Sequence, residues 1–139
     1  MREIALRLLM FHVENFWYNP HNPQNPDIRN ERLAFDESIL VWIQAEEKDE
    51  EERTKVLRKM VKNIRWLSKK LNCNSIILHS FAHLGDSKSS PEFADEVIEE
   101  TMKRLVDRDY KVHIVPFGIF NEFQMHVKGP SLAKVFKQF

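Results

Sequence analysis

Two apolar, β-branched runs, Ser75-Ile76-Ile77-Leu78-His79 and Val112-His113-Ile114-Val115, constrain this chain more than any other feature. Each reads as a buried strand. Helical periodicity separates them, so a right-handed crossover and parallel pairing are expected. Two of the three glycines, Gly85 and Gly118, follow these runs, where backbone must turn or approach another group closely. The segments that carry them are Ser80-Phe81-Ala82-His83-Leu84-Gly85 and Pro116-Phe117-Gly118-Ile119-Phe120-Asn121. Strand ends that open into loops are where α/β sheets bind ligands, so a site is expected between these two loops.

The remaining elements follow from pattern. A first strand is expected from Ile4 to Val13, then an aromatic stretch, Phe16-Trp17-Tyr18. Three evenly spaced prolines make Asn19 to Pro26 a surface loop in preference to a polyproline-type ligand. A second strand covers Ser38 to Ile43. The acidic run Glu46 to Glu52 reads as a solvated turn favouring the positive start of the next helix, in preference to a cation site. That helix is expected from Glu51 to Leu71. Val56, Leu57, Met60, Val61, Ile64, Leu67 and Leu71 form its apolar stripe, with Lys62, Arg65 and Lys69 on the outer face. Such a basic stripe is either a solvated surface or a contact for a phosphate backbone.

Ser90 suits the cap of a second helix, and Pro91 its first position. Strands then cover Lys111 to Val115 and Phe120 to Val127. Gly129-Pro130 breaks the pattern, and the tail from Ser131 to Phe139 fits a helical turn or an edge strand. The order β, β, α, β, α, β, β predicts an α/β fold. It is a mixed sheet with both helices packed on it, and the first two and last two strands can pair antiparallel.

At 139 residues the chain makes one domain, spanning 1–139. Its 21 basic and 21 acidic residues cancel, which excludes a general nucleic-acid binder but leaves room for a local basic patch. No apolar stretch approaches membrane-spanning length, and the N-terminus reads as a strand, not a signal peptide. One cysteine, Cys73, excludes an internal disulfide and a cysteine-built zinc site and suits a reducing cytoplasm.

The phosphate loop, the dinucleotide-binding glycine motif, H-E-x-x-H and the nucleophile elbow are all absent. Any mechanism therefore rests on histidines, hydroxyls and backbone amides at the strand ends. His12, His79, His113 and His126 lie in strand patterns, and His79 and His113 read as satisfied core histidines. No metal or other cofactor is expected. His83 differs, because a loop exposes it beside Gly85.

The paired Phe-Ala-His-Leu and Pro-Phe-Gly motifs, followed by Val127-Lys128-Gly129 and a short apolar tail, resemble the archaeal threonyl-tRNA synthetase editing domain. The likeness reaches back to Leu8-Leu9-Met10-Phe11-His12, Phe16-x-Tyr18 and the acidic segment, and so covers nearly the whole chain. It implies a fold like that of D-aminoacyl-tRNA deacylases, usually homodimeric, and hydrolysis of serine wrongly esterified to threonine tRNA. One methyl group supplies only about 1–3 kcal/mol of discrimination, so faithful charging needs a second pocket that removes the wrong product. The resemblance assigns catalysis to His83 and the residue at Asn121. It assigns the aminoacyl group to Ser80, Phe81, Ala82, Phe117, Gly118 and Phe120, and makes the aminoacylated 3′ end of tRNA the partner, with Lys62, Arg65 and Lys69 available to its backbone.

Some positions depart from that pattern. The family's second motif typically runs Pro-Phe-Gly-Tyr-Tyr-Lys, and its lysine is the residue most closely tied to catalysis. Here Ile119, Phe120 and Asn121 stand there, and asparagine cannot shuttle a proton near neutral pH. Lys128 lies an odd number of residues away and is expected on the opposite face. Lys134 replaces a usual acidic residue, and Ser80 a proline. The chain also lacks an aminoacylation core and an anticodon-binding domain; Met1 to Ala5 and the tail to Phe139 favour a stand-alone protein over an excised domain. Two readings remain. One is a deacylase of mischarged seryl- or D-aminoacyl-tRNA; the other is a catalytically impaired module that binds tRNA, a small amino acid or a threonyl-tRNA synthetase.

Overall fold

The structure, a computed structural model, describes residues 4–21, 26–81, 89–116 and 120–139. Seven strands form one mixed sheet: β1 (Arg7–Pro20), β2 (Leu33–Phe35), β3 (Ser38–Gln44), β4 (Ser75–Ser80), β5 (Lys111–Ile114), β6 (Asn121–Val127) and β7 (Lys134–Gln138). Two helices, α1 (Arg53–Leu71) and α2 (Pro91–Val106), join β3 to β4 and β4 to β5. Both connected strand pairs are parallel, as the crossover rule requires.

The helices cover one face of the sheet. Leu57, Met60, Ile64 and Leu67 of the α1 stripe are fully buried against Leu8, Met10, Val41 and Leu78. Ser90 caps α2 by accepting from the Phe93 amide at 3.2 Å, with Pro91 in its first position. Asn72 closes α1 in the left-handed conformation, φ 52°, which asparagine tolerates better than most residues.

β1 is the exception to its sequence reading. It runs on through the aromatic stretch to Pro20, because a bulge between Val13 and Asn15 resets its alternation. Before the bulge Leu6, Leu8 and Met10 face the helices and Val13 the other side; after it Phe16 and Tyr18 face that other side. One inserted residue thereby turns a whole strand segment over. Asn19 and Pro20 are consequently strand residues; of the expected loop, residues 22–25 lie outside those described.

Beyond the bulge β1 leaves β3 for β2 on one edge and β7 for β6 on the other. This half of the sheet curls over the face that the helices leave open. Tyr18 reaches β5, its hydroxyl 2.6 Å from His113 Nε2, and Phe35 packs its ring 4.7 Å from the same imidazole. Burial pushes the Tyr18 phenol up to about 12 and His113 below its ordinary range, so both are neutral at pH 7. The last two expected strands do not pair with each other: β6 pairs with β1, from which it is distant in sequence. The tail adopts both expected forms in turn, a short 3-10 helix at Ser131–Ala133 and then β7.

The acidic run also departs from a solvated turn. It forms a 3-10 helix, Glu47–Glu52, in which Asp49 is completely buried. Its carboxylate accepts the Ala5 amide at 2.6 Å and the Glu46 amide at 2.7 Å, and Glu46 in turn pairs with Arg7. Burial pushes the Asp49 carboxyl above its usual range, opposed by those two amides.

Candidate active site

β4 and β5 are parallel neighbours, so the two motif-bearing segments leave the sheet side by side. The Val115 amide donates to Leu78 O at 2.9 Å and the Phe81 amide to Ile43 O at 2.8 Å, which fixes both departures. His83 falls outside the described residues, as do Ala82, Phe117 and Gly118. Ser80, Phe81, Phe120 and Asn121 are described.

Phe81 stacks on Trp42 of β3, with ring centroids 4.4 Å apart and planes within 5°. His79 stands in register beside Trp42 and meets Phe81 edge-on at 6.1 Å. From the curled half, Phe123 of β6 closes on both, 6.1 Å from Trp42 and 6.2 Å from His79. Asn121 pairs with Pro20 at the start of β6, two residues before Phe123 and so on the same side of the strand. Phe120, at 85% exposure, stands on the rim, its carbonyl accepting the His21 amide at 2.8 Å. Ser80 alternates away from His79, towards the helix-covered face that Ile43 shares.

Several polar atoms beside these strand ends lack partners among the described residues. Among the described residues Trp42 Nε1, His79 Nδ1 and Asn121 Oδ1 are buried without a hydrogen bond; Asn19 Oδ1 is too, but on the opposite face of β1 from Tyr18. A buried polar group left unpaired costs about 1–3 kcal/mol, which a partner such as a ligand or water would recover. Burial holds His79 down to about 4, so at neutral pH its ring is uncharged and offers one donor and one acceptor. The expectation of a satisfied core histidine is therefore met by His113 and corrected for His79. Trp42 and Phe123 were not legible as site residues, because only the curl of β1 brings β6 over β3.

Lys128 sits just past the far end of β6, seven residues from Asn121, about 23 Å at strand spacing. Its ammonium contacts Glu37 at 2.8 Å and Glu14 at 3.6 Å, the Glu37 bond keeping its pKa raised. Glu37 also meets His12 Nε2 at 2.7 Å, and Lys128 and His12 together hold its carboxyl below the usual range. The ligand atoms of His12, Glu37 and Cys73 lie within 4.8 Å of one another, the one grouping among the described residues able to hold a metal. A cation there would have to displace the lysine ammonium, and burial raises the Cys73 thiol away from the thiolate a metal needs.

Lys62, Arg65 and Lys69 lie on the opposite side of the molecule, on the outer face of α1, where they line a cavity of about 780 Å³. Among the described residues no helix is long and apolar enough to cross a membrane.

A curled mixed sheet with two helices on one face, opening at the ends of its parallel strands, is the D-aminoacyl-tRNA deacylase-like fold. A solved structure described as a c-Myc DNA unwinding element binding protein shares it with a TM-score of 0.67, at 13% identity over 94% of this chain and 97% of that one. Residues 6–139 match the family described as the archaea-specific editing domain of threonyl-tRNA synthetase, and the chain belongs to that family. Similar relatives are the threonine–tRNA ligases of Methanosphaera stadtmanae, 30% identical over 134 residues, and Thermococcus kodakarensis, 30% identical over 135. In both cases the match covers 94% of this chain but only 22% of the relative.

Proposed function

We propose that this chain hydrolyses the ester of wrongly charged tRNA, with mischarged seryl-tRNA or D-aminoacyl-tRNA as substrate. The observation that carries the reading is the family match over residues 6–139, taken with buried polar atoms near the strand ends that lack partners among the described residues. Trp42, Phe81 and Phe123 supply an aromatic surface beside the strand ends for the aminoacyl group. Asn121 offers its carboxamide oxygen, unpaired among the described residues, to the substrate ammonium or to the attacking water. His83 and the amides of both loops orient that water and the developing oxyanion, with Ala82, Phe117 and Gly118 against the aminoacyl group. Positioning of this kind needs no metal.

The partner is tRNA, engaged through its aminoacylated 3′ end. A homodimer belongs to the proposal, and a species of twice the 16.6 kDa chain mass in solution would support it. So does transient association with a threonyl-tRNA synthetase in the cytoplasm, since the relatives join this domain to a ligase.

A second reading has its own support. Asn121 stands where the family's lysine is expected and carries no titratable proton, which favours a module that binds aminoacyl-tRNA without cleaving it. A deacylation assay separates the two. Seryl-tRNA for threonine and D-aminoacyl-tRNAs are incubated with the protein, and release of free amino acid is followed. Release above the buffer rate, lowered by His83→Ala and raised by Asn121→Lys, supports the enzyme. Release at the buffer rate with tight binding supports the module.

A further inference from the structure

The geometry points to a second RNA contact: a basic groove between α1 and α2 that holds the phosphate backbone of the tRNA whose 3′ end enters the crevice. This rests on the function proposed above. Arg58, Lys62, Arg65 and Lys69 recur along one face of α1, and Arg104 and Arg108 face them from the end of α2 and the turn after it. Asp107 is the one acid lining the groove. The chain as a whole is neutral, so this gathering of six cations is a matter of placement and not of composition.

The cations are largely uncompensated. Arg104 meets Glu100 at 3.5 Å, but among the described residues Arg58, Lys62, Arg65, Lys69 and Arg108 have no acidic partner. Among the described residues Arg65 Nε is buried without an acceptor. Cations in a last helical turn complement the helix dipole and need no ligand. That accounts for Lys69 and Arg104, but not for Arg58, Lys62 or Arg65, one to three turns upstream.

The shape selects the ligand. From Arg58 to Lys69 the row extends about 16 Å at 1.5 Å per residue, a line of charge that suits a phosphate chain better than a single anion. A concave groove of about 780 Å³ does not suit a flat membrane surface. Trp66, 37% exposed on its floor, adds an aromatic surface for a ribose or an unpaired base, with Lys137 4.9 Å from its ring centroid. α1 begins where β3 ends and runs back antiparallel to the parallel strands, so the groove leads away from the crevice mouth.

The test is binding of uncharged tRNA to the full chain over a salt series, followed by fluorescence anisotropy. Arg65→Glu with Arg108→Glu should weaken binding by about tenfold or more and flatten the log–log salt slope by about 2. Lys48→Glu, an exposed charge outside the groove, should change neither. Arg65→Gln with Arg108→Gln guards against a folding defect and should also flatten the slope by about 2, with a smaller loss of affinity. A short RNA ending in CCA, too short to reach the groove, should bind all four proteins alike. Unchanged tRNA affinity and slope in the groove variants would overturn the assignment, as would an equal loss in Lys48→Glu. If the short RNA binds none of them while groove variants still lose tRNA, the crevice reading fails and the groove stands.

Discussion

His79 sits in an aromatic environment far from that of water. Its imidazole is pinned between Phe81 and Phe123, and burial lowers its pKa from 6.5 to about 4. The unfolded chain therefore binds a proton at pH 5 that the folded chain refuses, and stability falls as pH drops from the unfolded value towards the folded one. Linkage gives a loss of about 2 kcal/mol between pH 7 and pH 5 from this group alone. Urea unfolding at the two pH values should show it, and His79→Gln should remove most of the difference; an undiminished drop in the variant would assign the effect elsewhere. His79 and His113 look alike in sequence, each one place from apolar neighbours. What separates them is Tyr18, 95 residues from His113 in sequence yet bonded to it across the fold. No local pattern carries that information.

Elements whose face is decided locally were legible. The α1 stripe, the Ser90-Pro91 start of α2 and the parallel β3–β4–β5 order all follow from spacing and caps. Elements decided by distant partners were not. β2 is three residues long, too short for any periodicity, and β6 pairs with a strand from the other end of the chain. The acidic run misleads for the same reason: charge density suggests solvent, yet Asp49 is buried because the Ala5 amide, 44 residues away in sequence, needs an acceptor. Asp49→Ala leaves that amide and the Glu46 amide without it and should lower stability by about 2 kcal/mol. Asp49→Asn keeps one acceptor oxygen and should lose less. A loss under about 0.5 kcal/mol in the alanine variant, measured by chemical unfolding, would mean that water replaces the carboxylate without penalty.

For the molecule as a whole, the side-by-side placing of β4 and β5 could be read from two apolar runs, but the aromatic residues that approach their ends could not. Trp42 and Phe123 meet there only because the bulge at Val13 and Asn15 turns the far half of β1 inward. Asn121 was legible as a position, and its unsatisfied oxygen was not.

β1 is bonded along both edges, to β3 and β7 before the bulge and mainly to β2 and β6 after it. The two halves of the sheet hang from one continuous backbone, so neither can peel away without unzipping the other. Deuterium uptake should report this directly. Amides of Leu8 to Met10 and Phe16 to Tyr18 should exchange together, at the rate of complete unfolding. Faster uptake confined to Phe16–Tyr18 would mean that the curled half opens alone; uniform protection means that the strand holds both halves to a single opening event.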